Sequence, residues 1–207
     1  MNNFNELAKE LLTIEAVQIK TDPINYFTWT SGIKSPIYCD NRVTISYPHI
    51  RKNITDAFVQ ILEKLQIKPD VIAGCATAGI PHAAWLADAL QLPLIYVRSK
   101  PKTHGTGSQI EGRINKGQKV VVIEDLISTG GSSLETAKVL RDNGNEVLQV
   151  LAIFTYGLER AKASFANEGF AYETITSFDQ LLHVLVNESE ITMKEKEQLI
   201  QWRNQLT

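Results

Sequence analysis

Four short apolar runs alternate with helical patterns through the middle of this chain, at 70–74, 93–97, 119–123 and 146–154. Residues 80–90 space their apolar side chains as one helix face would, with Pro81 near the first turn. Residues 132–142 do the same and are closed by Asn143-Gly144, a helix-ending pair. Strands alternating with helices demand right-handed crossovers and a parallel sheet. The near-continuous apolar character of the runs fits strands covered on both faces. The expected fold is therefore α/β, with a central, mostly parallel sheet flanked by helices.

The flanks read differently. Residues 4–12 predict an amphipathic helix, and 48–65 a longer one that starts at Pro48. Between them, 28–32 and 35–39 are rich in β-branched and aromatic residues around Gly32, which predicts short strands in a small hood. Residues 178–206 read as two helices split near Asn187. The expected organisation is one domain over 1–207, with a hood at about 1–45 joined by C-terminal elements, and a core at about 46–175.

A formal charge of −2 over 207 residues implies no general polyanion-binding surface, so a nucleic-acid partner is not expected. No apolar run approaches the ~20 residues of a membrane span. Cys39 and Cys75 stand far apart and lack metal-ligand spacing, which suits reduced thiols in a cytoplasmic protein.

The chemistry concentrates in 120–133, VVVIEDLISTGGSS. A buried strand ends in Glu124-Asp125, and Ser128-Thr129-Gly130-Gly131-Ser132 then leads into a helix. Loops at the carboxyl ends of parallel strands are where open α/β sheets bind ligands. Backbone N–H groups at a helix start, with hydroxyls and close-approach glycines, make a phosphate cup. Carboxylates beside the cup can accept hydrogen bonds from sugar hydroxyls, so the stretch suits a sugar phosphate. The plainer alternative is a hydroxyl-capped helix beside two solvated acids. No Gly-Lys-Ser/Thr follows, which excludes the Walker loop, and the acids precede the glycines, which excludes the dinucleotide fingerprint. A second candidate is the connection 98–118, rich in glycine, lysine and arginine and without hydrophobic period. Such long connections in compact domains tend to be functional lids or solvated loops.

At 120–133 the chain resembles the type I phosphoribosyltransferases, whose hallmark is a hydrophobic strand, two acids and a Thr-Gly loop binding phosphoribosyl pyrophosphate (PRPP). The resemblance implies that Glu124 and Asp125 take the ribose hydroxyls, that Ser128, Thr129, Gly130, Gly131 and Ser132 hold the 5′-phosphate, and that Leu126 and Ile127 belong to the same PRPP-binding stretch. A hydroxyl at position 128 looks like the orotate members; hypoxanthine and guanine enzymes place Asp there, and adenine enzymes Ala. Residues 98–107, RSKPKTHGTG, resemble the mobile catalytic loop of orotate enzymes, which implies leaving-group roles for Arg98, Lys102 and His104. Pyrophosphate departs with growing negative charge, which cationic Lys102 and proton-donating His104 can stabilise.

Residues 74–81 occupy the family's pyrophosphate-loop position, with Thr77-Ala78 where some orotate enzymes carry Tyr-Lys. Residues 27–38 resemble the hood, with Thr30 where enteric-type members have Lys. Lys34 either faces the orotate carboxylate or solvates a turn. Asp40 and Arg42 are expected to form a surface ion pair worth ~0–1 kcal/mol. Tyr156 stands nearest to the position of an orotate-binding Arg in enteric-type enzymes, with Arg160 as another possible cation. His82 and His183 read as structural or surface residues, and the three tryptophans as packing.

The resemblance implies orotate phosphoribosyltransferase activity: orotate plus PRPP gives orotidine 5′-monophosphate and pyrophosphate in pyrimidine biosynthesis. It implies Mg²⁺ carried by PRPP rather than a protein metal cage, catalytic roles for Lys102, His104 and Asp125, and a homodimer with shared active sites. The rival readings are a purine phosphoribosyltransferase and a PRPP-binding regulator on the same fold. Ser128 and the 98–107 loop oppose the first. The second would need a DNA-binding domain or a basic face.

Overall fold

A computed structural model describes residues 3–28, 32, 34–100 and 108–206. The expected Lys102 and His104, with most of the 98–107 loop, lie outside the described residues.

The chain begins with α1 (Asn3–Thr13), β1 (Val17–Ile19), β2 (Phe27–Thr28), β3 (Lys34–Ser35) and β4 (Ile37–Cys39). After the 3-10 helix Asn41–Ser46 come α2 (Pro48–Lys64), β5 (Val71–Cys75), α3 (Gly79–Leu90), β6 (Leu94–Val97) and β7 (Ile110–Glu111). The chain then forms β8 (Lys119–Ile127), α4 (Gly131–Asp142), β9 (Glu146–Thr155), α5 (Glu159–Glu168), β10 (Tyr172–Ser177), α6 (Phe178–Asn187) and α7 (Met193–Asn204).

The central sheet runs β10-β9-β8-β5-β6-β7, parallel throughout except for β7, which pairs antiparallel with β6. The α/β expectation therefore holds. Val120, Val121, Val122 and Ile123 of β8 are fully buried, as are Val71, Ile72 and Ala73 beside them. Each such Val or Ile contributes ~1.5–3 kcal/mol relative to exposure. Two antiparallel pairs form the hood, β1 with β4 and β2 with β3.

The connectivity creates the site. From β5 the chain steps outward to β6, whereas from β8 it steps the other way, to β9 and β10. The direction of winding reverses between β5 and β8. The loops leaving their carboxyl ends diverge and leave a crevice, the place where open α/β sheets take ligands. Loop 76–78 enters that crevice from β5, and loop 128–130 from β8.

Two boundaries differ from the sequence expectation. β8 does not stop at Ile123: Glu124, Leu126 and Ile127 keep pairing with Ala152, Phe154 and Thr155 of β9. The two acids thus sit within the last strand turns rather than in a loop. The 98–118 connection is also not wholly irregular, because Ile110 and Glu111 pair with Val97 and Tyr96.

Candidate active site

The turn expected to cradle a phosphate is built by backbone. Gly130 adopts φ 82°, a left-handed conformation that turns the chain from β8 into α4. A side chain there would also strike Phe165 Cε2, at 2.7 Å from the added carbon. The start of α4 has no side-chain cap hydrogen bond. The capped-helix alternative thus fails: Ser132 and Ser133 are committed elsewhere, Ser132 Oγ donating to Glu124 Oε2 at 2.7 Å and Ser133 Oγ to the Gly130 carbonyl at 3.1 Å. A helix start whose N–H groups lack a side-chain acceptor is a ready anion site.

The two acids have different environments. Glu124 is buried, with 5% exposure. Its Oε2 accepts from Ser132 and its Oε1 from the Asp125 backbone N–H at 3.0 Å. Burial first, and the charge of Asp125 second, push the Glu124 carboxyl up from 4.5 to about 8. Asp125, at the carboxyl end of β8, is only half-buried. Its backbone carbonyl accepts from Asn41 Nδ2 at 2.7 Å. Ser128 and Thr129 are half-buried, Gly131 and Ser132 exposed, and Leu126 and Ile127 lie on the strand with Ile127 buried.

A pH dependence follows from Glu124. Its folded carboxyl titrates above the unfolded one, so its contribution to stability is complete below ~4.5 and is lost as pH rises through about 8. Glu124→Gln removes that loss. The ligand-free variant is expected to melt several degrees above the parent at pH 8 and to lose this advantage at pH 4.5. Each ~1 kcal/mol corresponds to roughly 2–4 °C for a domain of this size. PRPP affinity should fall about tenfold or more. Equal melting temperatures at pH 8 would contradict the buried-charge account.

From the β5 side, Gly79 opens α3 against the end of β8. A carbon added there would lie well inside van der Waals contact of the Ile123 carbonyl oxygen and 3.2 Å from Glu124 Cα. The Ala76–Thr77 peptide in the same loop is cis.

The remaining expected residues are more scattered. Arg98 follows β6; its backbone N–H bonds the Gln109 carbonyl at 2.9 Å and its guanidinium lies 3.8 Å from Glu111. Lys34 is exposed in the hood, its ammonium donating to Thr28 Oγ1 at 2.7 Å. Asp40 and Arg42 form the expected pair, two-pronged at 2.6 and 2.8 Å. Tyr156 is buried against Phe154, and Arg160 is exposed in the first turn of α5. His82 is a core residue, edge-on to Trp85, its pKa lowered by burial to about 4. Sequence reasoning missed Asn41, and it marked Gly79 only as part of the 74–81 loop; the contacts of both are with residues far along the chain.

A parallel sheet with an acid pair and an uncapped helix start at its switch point defines a sugar-phosphate-binding α/β protein. The family described as the phosphoribosyl transferase domain matches residues 46–178. The chain therefore belongs to the phosphoribosyltransferase family. It is 58% identical to an orotate phosphoribosyltransferase of Oceanobacillus iheyensis, over 97% of this chain and 98% of that protein. A relative of the same name from Fusobacterium nucleatum is 52% identical, over 97% and 95%. The crystal structure of orotate phosphoribosyltransferase from Aeropyrum pernix superposes with a TM-score of 0.76 at 32% identity, covering 90% of this chain and 99% of that one. Within the family, the chain falls among the orotate phosphoribosyltransferases.

Proposed function

We infer that the protein transfers the 5-phosphoribosyl group of PRPP to orotate, giving orotidine 5′-monophosphate and pyrophosphate. The observation that carries this reading is the uncapped start of α4 beside Asp125, in a chain alike over nearly its whole length to enzymes of that name.

The 5′-phosphate rests on the N–H groups and hydroxyls of 128–132, and the ribose hydroxyls meet Asp125 with Glu124 behind it. Fixing the sugar at both ends leaves C1 as the mobile centre. The bond to pyrophosphate lengthens, positive charge spreads over the ring, and the orotate nitrogen attacks. Arg98, Lys102 and His104 serve the departing pyrophosphate, and loop 98–107 excludes water from the reactive sugar. Ser128 faces the base and selects a pyrimidine carbonyl or carboxylate; Lys34 is a candidate for the carboxylate.

Mg²⁺ fits this donor set as a passenger of the substrate. Glu124 is tied to Ser132, which leaves Asp125 as the one presented carboxylate, and a hard ion that keeps its waters needs little more. When bound, the ion would offset the charge of the pyrophosphate oxygens. No helix among the described residues is long and apolar enough to cross a membrane. A cytoplasmic setting fits the phosphorylated substrates and the two free thiols.

Pyrophosphate release, measured with PRPP, Mg²⁺ and one base at a time, tests the reading. Orotate should support release, and hypoxanthine, guanine and adenine should not. Release with a purine alone would replace it. The homodimer has its own test. Mixed Lys102→Ala and Asp125→Asn subunits should recover part of the parent activity, because one of the two shared sites in a heterodimer carries neither change. No recovery in proven heterodimers would place each site within one chain.

A further inference from the structure

Asn41 opens the 3-10 helix that joins the hood to α2, and its side chain is fully buried. It lies 84 residues from Asp125 in sequence, yet its amide donates to the Asp125 carbonyl at 2.7 Å. The reason lies in the sheet. Carbonyls of alternate residues on a strand point to the same side. On β8 the Lys119 carbonyl accepts from Asp70, beside β5, whereas the Gln118 carbonyl accepts from Glu146 of β9. The carbonyl of Asp125 therefore faces the β5 side. There β5 no longer pairs: its register with β8 ends at Gly74 and Ile123. Asn41 supplies the donor that the departing strand withdraws.

The amide is itself held in place. Its Oδ1 accepts from Cys39 Sγ at 3.5 Å, which fixes the NH₂ group toward Asp125. Its backbone carbonyl accepts from Thr44 Oγ1 at 2.6 Å, and Thr44 Oγ1 meets His82 Nε2 of α3 at 3.4 Å. The Thr44 hydrogen is spent on Asn41, so His82 Nε2 is the donor in that contact. The last strand of the hood and the Asp125 backbone thus meet at the buried Asn41 side chain, and α3 joins them one step removed, through Thr44 on the Asn41 backbone carbonyl.

We propose that Asn41 is a positioning residue for PRPP, holding the backbone of Asp125 so that its carboxylate meets the ribose hydroxyls at a fixed distance from the hood. The proposal rests on the ribose-binding role of Asp125. Asn41→Leu keeps the volume and loses the donor. It should raise the KM for PRPP at least tenfold and leave the KM for orotate within about twofold. Thr44→Val, which cuts the neighbouring link but spares the Asn41–Asp125 bond, should lower the melting temperature yet keep the KM for PRPP within about twofold. A merely structural Asn41 would lower stability in both variants and move neither KM. An unchanged KM for PRPP in folded Asn41→Leu overturns the proposal. Should that variant not fold, the unaltered protein gives the answer. The ¹⁵N side-chain amide signal of Asn41 should shift on adding PRPP with Mg²⁺ and stay in place with orotate alone, and a signal that ignores PRPP overturns the proposal. PRPP titration without orotate keeps this result separate from the choice of base: PRPP binding without orotate turnover would defeat the functional reading and leave the role of Asn41 standing.

Discussion

Gly79→Ala is expected to cost at least a hundredfold in kcat/KM at temperatures where the protein is still folded. The added methyl would press on the Ile123 carbonyl oxygen and the Glu124 Cα, both backbone atoms of the central strand. Neither can swing aside as a side-chain tip can. Either α3 retreats or the end of β8 moves, and β8 is held on its other flank by pairing with β9 through Thr155. Overpacking of this kind costs about 1–3 kcal/mol, or roughly 2–12 °C in melting temperature for a domain of this size. The activity loss should be larger than the stability loss suggests. Misplacing a catalytic constellation by about 1 Å can cost 10²-fold in rate, and the displaced backbone here is that of Ile123 and Glu124, immediately before Asp125. Steady-state kinetics beside a thermal melt checks the expectation. Activity within a fewfold of the parent would mean that α3 can withdraw without disturbing β8.

Lys102→Ala should lower kcat by two to three orders of magnitude with only a modest change in PRPP affinity. On the proposed reading, the 5′-phosphate of PRPP finds its partners in the cup at 128–132, apart from the lysine. In that reading the lysine acts on charge that grows as the pyrophosphate leaves, so its removal would fall on the transition state. Losing one such preorganised donor typically costs ~10²–10³ in kcat. Single-turnover kinetics with a separate PRPP titration resolves the two effects. Unchanged turnover would remove Lys102, and the lid reading of 98–107 with it, from the reaction.

Much of this architecture was legible because burial and sequence pattern coincide. The runs at 70–74, 93–97, 119–123 and 146–154 each became a strand of the parallel sheet. The elements that escaped notice lie at its margin. The strand Tyr172–Ser177, at the sheet edge, carries one aliphatic residue, Ile175, among polar ones, and so shows neither an apolar run nor a clean alternation. The helix Glu159–Glu168 buries only Ala161 and Phe165, too little to stamp a period on ten residues. The strand Ile110–Glu111 is two residues long and exists through its pairing with Val97 and Tyr96. The overshoot of β8 past Ile123 has a different cause. A carboxylate can continue a strand when its oxygens are satisfied, and Glu124 has Ser132 and the Asp125 N–H to do so.

The site was legible where it is local. Residues 124–132 carry acids, turn and helix start in one stretch, and the structure keeps them together. The sequence could not tell the two acids apart, because their difference comes from burial: Glu124 is inside and bonded to Ser132, while Asp125 is only half-buried. Nor could it find Asn41, or the close approach of Gly79 to β8. Asn41 reads as an ordinary polar residue after a short strand, and Gly79 as one of several turn glycines. Their roles appear only when the fold brings them against a strand end more than forty residues away in sequence.

The central claim is transfer of the phosphoribosyl group to orotate, and the fate of orotate itself tests it most directly. Isotope-labelled orotate is incubated with PRPP, Mg²⁺ and the protein, and the products are identified by mass spectrometry. The account predicts labelled orotidine 5′-monophosphate and pyrophosphate in equal amounts. Unchanged orotate, with PRPP intact or hydrolysed to ribose 5-phosphate, would contradict it.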